Sequence, residues 1–384
     1  MMQYTFIRSN AALADYCQKA SHKDAIAVDT EFVRTRTLYP QLGLIQLYDG
    51  EQLVLVDPLD IDDFEPLVAL LVDPTVVKVL HSCSEDLETF WHALGVTPAP
   101  IFDTQFAACL AGMGATLGYA NLVEAMLGIQ VDKGESRTDW LARPLSEQQC
   151  DYAAYDVWYL YQLYPELKAR VTAAGKLDWV FAEMAHLCDK KRTAMPPELA
   201  YLGIKNNWQL RGRNLFALQH LAKWRLNVAR QRDMALNFVI REHNLVEIAR
   251  RLPTNKGGLA AISGITPQEI RKHGDTLLAL VDECRNTPPE QFPPPVERLV
   301  EYPGYKRIAG DIRQVCLRVA EQHQVPVEVM GSKKQIGQLL KWCWFDQDET
   351  RMMGLTPDLL NSWRKPLLED GLNDILGNVL RGKH

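Results

Sequence analysis

Residues Ala25-Ile26-Ala27-Val28-Asp29-Thr30-Glu31-Phe32 run an apolar segment straight into two carboxylates. The segment is short and bounded by charge, and Ile26 and Val28 are β-branched, so it predicts a buried strand. Side chains two apart on a strand share a face, so Asp29 and Glu31 point the same way. Two like charges at the end of a core strand repel each other and lose hydration. A divalent cation offsets both effects, and carboxylate oxygens suit hard ions such as magnesium or manganese. The same spacing also occurs at solvated strand ends, so further residues must decide.

The chain supplies them in order. Leu42–Tyr48 and Gln52–Asp57 read as two strands joined by the turn pair Asp49-Gly50. After a helix around 64–71, Val76–Leu80 reads as another buried strand. It leads through His81 into Ser82-Cys83-Ser84-Glu85-Asp86, where Ser82 or Ser84 is the expected cap of a helix over 85–94. Acids in a first turn also complement the helix dipole, so Asp86 gains weight only from its company. The segment 132–144 is polar and mixed in charge, and predicts a surface loop carrying Arg137, Trp140 and Arg143. Ser146 opens a helix with a capping pattern. Tyr152 and Asp156 lie four apart on that helix and share a face. A carboxylate among Tyr155, Val157, Trp158 and Leu160 needs a partner, either a buried Arg or a metal.

Composition narrows the class. The chain has 384 residues, enough for two or three domains. No apolar run approaches a membrane span, and the N-terminus lacks a signal pattern, so the expectation is cytoplasmic with no membrane partner. The eight cysteines form no Cys-x-x-Cys pair, so neither a zinc knuckle nor a disulfide framework is signalled. Residues 1–195 carry 27 acids against 15 Lys and Arg, whereas 196–384 carry 21 against 27. An acidic front half and a basic back half suit a carboxylate site joined to something that holds a polyanion. Residues 205–232 contain seven Lys or Arg and no acid. Residues 225–236 align with 316–327 at an offset of 91, and Gly264-Ile265-Thr266-Pro267 aligns near its end with Gly354-Leu355-Thr356-Pro357. Two related helical units follow, separated by the Pro-rich segment 287–295.

Asp29-x-Glu31, His81-x-x-x-x-Asp86 and Tyr152-x-x-x-Asp156 together resemble the DEDD 3′–5′ exonucleases of the tyrosine subtype. Glu31–Thr37, Pro40–Leu47 and Ser136–Leu145 are similar to the bacterial ribonuclease D family within them. Met234–Ile240 and Leu259–Ile265 resemble the HRDC module, and the second unit is a diverged copy. The resemblance implies an α/β ribonuclease-H-like exonuclease domain, a mixed sheet flanked by helices, over 1–195. Two all-α HRDC-like domains follow over 205–288 and 296–384. It implies two divalent ions, Mg²⁺ or Mn²⁺, held by Asp29, Glu31, Asp86 and Asp156, with Tyr152 orienting the attacking water. His81, Arg137, Trp140 and Arg143 are candidates for substrate contact. The implied partner is RNA, transfer RNA precursors above all, and the expected state is a monomer. Two other functions fit less well: a non-catalytic RNA-binding protein on the same fold, and a DNA 3′–5′ exonuclease.

Overall fold

The computed structural model describes residues 2–131, 134–135 and 137–377. Asp132 and Ser136, from the polar segment and the family match, lie outside the described residues, as does the end of the second helical unit beyond 377. The first half contains β1 (Thr5–Ile7), α1 (Asn10–Ala20), β2 (Ala25–Val33), β3 (Gln41–Tyr48), β4 (Leu53–Val56), α2 (Glu65–Val72), β5 (Val77–Leu80), α3 (Ser84–Leu94), β6 (Ile101–Asp103), α4 (Thr104–Leu110), α5 (Tyr119–Leu127), α6 (Glu147–Ala173) and α7 (Leu177–Arg192). The strands form one mixed sheet in the order β1-β4-β3-β2-β5-β6. β2 lies inside it, antiparallel to β3 and parallel to β5.

Alternation along β2 divides the core. Ala25 and Ala27 face Ala153, Val157 and Leu160 of α6. Ile26 and Val28 face Leu13, Leu67, Leu87 and Phe90 on the opposite layer of helices. Ile26 and Val28 are fully buried, which stabilises the strand by roughly 1.5–3 kcal/mol each. The same alternation carries Asp29 and Glu31 onto the α6 side. The register with β3 breaks between Glu31 and Phe32, a bulge that re-aims the side chains around it.

Two helix starts bear on the site. Ser146 and Gln149 form the capping box expected for α6. The start of α3 differs from expectation: Cys83 takes the cap position with no side-chain bond, and neither serine caps the helix. Asp103, twenty residues on, accepts the Cys83 N–H at 2.9 Å and the Phe106 N–H at 3.0 Å. One carboxylate thus fixes both α3 and α4, a partnership too distant for a local pattern to reveal.

The second half is helical: α8 (Gly212–Arg232), α9 (Leu236–Val239), α10 (Glu242–Arg251), α11 (Lys256–Ala260), α12 (Pro267–Asn286), α13 (Tyr305–Gln322), α14 (Val327–Gly331), α15 (Lys333–Trp344), α16 (Glu349–Met352) and α17 (Lys365–Leu376). An offset of 91 carries α9 onto the start of α14 and α10 onto α15, so the repeat in sequence is a repeat in structure. The first unit has its own core around Leu218, Leu245 and Leu277. The second does not: Leu339, Leu368 and Leu372 belong to one apolar cluster with the α6 side of the sheet. All eight cysteines are buried and unpaired. No helix among the described residues is long and apolar enough to cross a membrane.

Candidate active site

Asp29 and Glu31 from β2 and Asp156 from α6 bring carboxylate oxygens within 4.8 Å of one another. Asp86 adjoins this trio from the first turn of α3, where the Thr30 hydroxyl donates to it. Asp86 and Asp156 are buried, whereas Asp29 and Glu31 are half-buried at the opening. At about 4 Å two such charges repel by about 4 kcal/mol at an effective dielectric of 20. The protein answers by holding protons. Burial first, then repulsion from Asp86, Asp156 and Glu31, drives Asp29 well above the usual carboxylate range. Burial and repulsion from Asp156 and Asp86 push Glu31 up to about 9. Burial lifts Asp86 to about 7 against the Thr30 hydrogen bond, and lifts Asp156 to about 7 against one from Tyr152. No cation is among the leading influences on any of the four.

Tyr152 sits one turn before Asp156, and burial followed by the charge of Asp156 drives its hydroxyl far above the ordinary tyrosine value. It is a donor at neutral pH and not a base. Trp140 lies against it, ring centroids 6.2 Å apart. The Tyr119 hydroxyl donates to the backbone carbonyl of Asp156 and steadies the helix there. The edge of His81 meets Tyr119 at 5.4 Å. The Thr104 hydroxyl donates to the Leu80 carbonyl at 3.1 Å, so the 2.9 Å contact from His81 Nδ1 places the proton on Nδ1. His81 Nε2 is a buried acceptor with no partner, and burial lowers the ring's pKa.

The residues present fit a divalent cation. The donors are all carboxylate oxygens, the ligand type of hard ions. Gln46 adds an independent sign. The β2–β3 register sets it directly opposite Asp29 on the same face. It is fully buried, and neither amide atom has a partner. A buried, unpartnered amide costs roughly 1–3 kcal/mol, and beside a cluster of acids it marks a site built around a group or water that binds there. Sequence reasoning passed over Gln46. The signal was available: a polar side chain at a core-facing position of an alternating strand.

The loop candidates divide differently. Arg137 is exposed. Trp140 is 1% exposed and in the core, so it offers no face to a base. A side chain at Gly43 would lie 2.6 Å from the Trp140 carbonyl, so the strand and loop meet backbone to backbone. Arg143 is also a correction. It bonds both oxygens of Asp57 at 2.7 Å and the carbonyls of Gly43, Trp140 and Ala142 at 2.7–2.9 Å. Its donors are spent on holding the loop to the sheet. Burial alone would raise Asp57, yet Arg143 leaves it below its ordinary value. Arg143→Met should therefore destabilise the protein by about 3 kcal/mol, because Asp57 stays buried without its partner. Urea unfolding checks this, and an unchanged midpoint contradicts it.

Comparison with known proteins places the chain by family and fold. A family model described as 3′–5′ exonuclease matches residues 4–172. One for the HRDC domain matches 215–281, and one for the ribonuclease D C-terminal HRDC domain matches 303–372. Ribonuclease D of Musicola paradisiaca is 45% identical over 99% of this chain and 100% of its own. Ribonuclease D of Escherichia coli is 45% identical over 98% and 99%. The crystal structure of the Escherichia coli enzyme, described as an exoribonuclease involved in structured RNA processing, superposes with a TM-score of 0.93 over 98% of this chain and 99% of that one. A Bifidobacterium adolescentis protein, 22% identical with a TM-score of 0.70 over 97% and 96%, shares the fold. With the fold, 45% of the sequence and nearly the full length in common, this chain belongs to the ribonuclease D family.

Proposed function

We propose that the chain is a metal-dependent exoribonuclease that hydrolyses RNA from the 3′ end and releases nucleoside 5′-monophosphates. One observation carries the reading: Asp29, Glu31 and Asp156 converge, with Asp86 beside them, and no cation is among the leading influences on their charge. Family membership adds the substrate class. The Escherichia coli relative is described as acting on structured RNA, and precursors of transfer RNA are the substrates we assign. We further assign two ions, Mg²⁺ or Mn²⁺, a monomeric state, a cytoplasmic location, and domain limits of 1–195, 205–288 and 296–384.

The chain's own residues divide the work. Asp29, Glu31, Asp86 and Asp156 would hold the ions, and Thr30 would keep Asp86 turned toward them. Bound ions supply charge stabilisation at the phosphoryl oxygens and a nucleophile at neutral pH. Tyr152, held protonated, would donate a hydrogen bond that orients the attacking water or a phosphate oxygen. The water oxygen bonds to phosphorus, and the bond from phosphorus to the preceding 3′-oxygen breaks. That oxygen takes up a proton, leaving a new 3′-hydroxyl and a 5′-monophosphate. His81 Nε2, an unpartnered acceptor, is available to a terminal hydroxyl of the substrate.

A time course on a 3′-extended transfer RNA labelled at its 5′ end tests this. Stepwise shortening with Mg²⁺ or Mn²⁺, and none with chelator, is expected. A gel shift without shortening under either metal would make the chain an RNA-binding protein instead. Faster degradation of a DNA oligomer of the same sequence would replace RNA as the substrate.

A further inference from the structure

The strand that carries Asp29 and Glu31 continues into a loop, residues 34–40, which is held from two sides. On the exonuclease side, Arg34 donates to Glu88 at 2.8 Å and to the Leu38 carbonyl at 2.9 Å. Tyr39 stacks on His92 with ring centroids 3.8 Å apart. On the other side stands the first helical unit. Asp233, in the left-handed conformation that ends α8, accepts the N–H groups of Leu38 and Tyr39 at 3.1 and 3.0 Å. The Ala235 N–H donates to the Arg36 carbonyl at 2.8 Å. The seam is made of backbone groups on one partner and a single carboxylate and amide on the other, so its geometry is fixed.

Across this seam the Arg36 guanidinium lies over the Phe238 ring, 5.7 Å from its centroid. Phe238 is 54% exposed, the one aromatic ring among the exposed large apolar side chains of the described residues. Arg36 is exposed and has no carboxylate partner among the described residues. Arg232 and Arg241, which flank Phe238 in sequence, are exposed too. An exposed aromatic ring with an unpaired guanidinium over it, and two more exposed arginines close by in sequence, is the chemistry that binds single-stranded nucleic acid: the ring stacks on a base and the cations meet phosphates. A partner protein would more readily cover a broader apolar area than one ring.

The position relates to the carboxylates. Ligands of sheets with parallel strands bind beyond the carboxyl ends of those strands, and this loop leaves the carboxyl end of β2. Arg36 is five residues past Glu31, so its Cα is at most about 18 Å away. Bases stacked about 3.4 Å apart cross that distance in about five nucleotides.

We propose that Phe238 and Arg36 form a composite platform for single-stranded RNA, occupied by nucleotides a few positions upstream of the 3′ end. It rests on the exoribonuclease reading above. One residue comes from each domain, so the platform exists only while the first helical unit is docked. It gives the enzyme a means to favour ends whose unpaired tail is long enough to reach it, and to slow as the tail shortens toward a folded stem.

The test is kcat/KM on oligoadenylates of 2 to 10 nucleotides, for the full-length protein with Mg²⁺ or Mn²⁺. In the wild type, kcat/KM climbs as the oligomer first reaches the platform and then levels. In Phe238→Ala that climb falls by about tenfold, through KM, whereas Phe238→Trp restores it. Arg36→Ala lowers the same climb and reduces the salt slope of binding by about one. Phe238 is exposed, so an unchanged melting temperature separates lost contact from lost folding. Parallel length dependence in wild type and Phe238→Ala would overturn the platform and leave the exonuclease standing. No degradation of any length by the wild type would overturn both.

Discussion

Asp29→Asn should lower RNA cleavage by at least about 10³-fold while raising the melting temperature of the metal-free protein. Loss of a ligand removes several kcal/mol of charge stabilisation from the transition state, and each 1.36 kcal/mol is tenfold in rate. The gain in stability comes from the same charges. In the folded protein, burial and mutual repulsion hold the carboxyl groups above their unfolded values, with Glu31 at about 9 and Asp86 and Asp156 at about 7. The folded state therefore binds more protons than the unfolded state above about pH 4. Their favourable contribution is full below that pH and is lost as pH rises through 7 to 9. The metal-free wild type should melt lower at pH 9 than at pH 5, with the cluster as the cause. Asn at position 29 keeps the shape, removes one charge and flattens that decline. A gain of about 1–2 kcal/mol corresponds to a few degrees. Metal reverses the order: at a thousand times its Kd an ion stabilises the wild type by about 4 kcal/mol, and the variant lacks that response. Melting curves in chelator and in Mg²⁺ at three pH values read all of this. Equal metal-free melting temperatures at pH 8 would mean that the cluster stores no repulsion.

The contrast between Asp29 and Trp140 explains how much of the site could be read in advance. Asp29, Glu31 and Asp156 owe their positions to local periodicity, two along a strand and four along a helix, and periodicity is written in the sequence. Trp140 and Arg143 sit in a stretch whose composition looks like a solvated loop. What makes them internal is Gly43, about a hundred residues earlier, and Asp57 on the sheet. No local pattern encodes such partners. Asp103 as the acceptor that holds the start of α3 is hidden in the same way. Gln46 was missed for another reason: its alternation was visible, but its meaning depends on register with β2. The repeat of 91 showed two helical units, yet gave no sign that the second shares its core with the sheet while the first keeps its own. Within residues 205–232, Arg225, one of the seven Lys and Arg counted there, belongs to the interior of the first unit, at 5% exposure.

That shared core is sealed by a polar seam, and Arg364→Met should break it at a cost of about 3–5 kcal/mol. Arg364 is 2% exposed. Its Nε donates to the Val329 carbonyl at 2.9 Å, and both terminal nitrogens donate to Glu183 on α7. The Trp363 indole donates to the same carboxylate at 2.9 Å, and its ring stacks on Trp179 at 4.4 Å. A few residues away, Asp358 accepts from His186 and from Lys190, both at 3.0 Å. Against the effect of burial, these two partners hold its carboxyl far below the usual range. Removing the guanidinium leaves Glu183 with the indole alone to offset a charge shut away from water. The double variant Glu183→Leu with Arg364→Met removes both charges and should recover most of the loss, since a buried pair replaced whole is often near neutral. Urea unfolding of the two single variants and the double forms a cycle, and a coupling near zero would show that the pair does not join the domains. Asp29→Asn and Arg364→Met each delete one charge, with opposite expected signs. At the site, like charges face one another and await an ion. At the seam, every charge already has its opposite, and α7, which carries half of them, packs against β6 and α3 behind the carboxylates. Stability placed at the seam offsets what it costs the fold to hold four acids together.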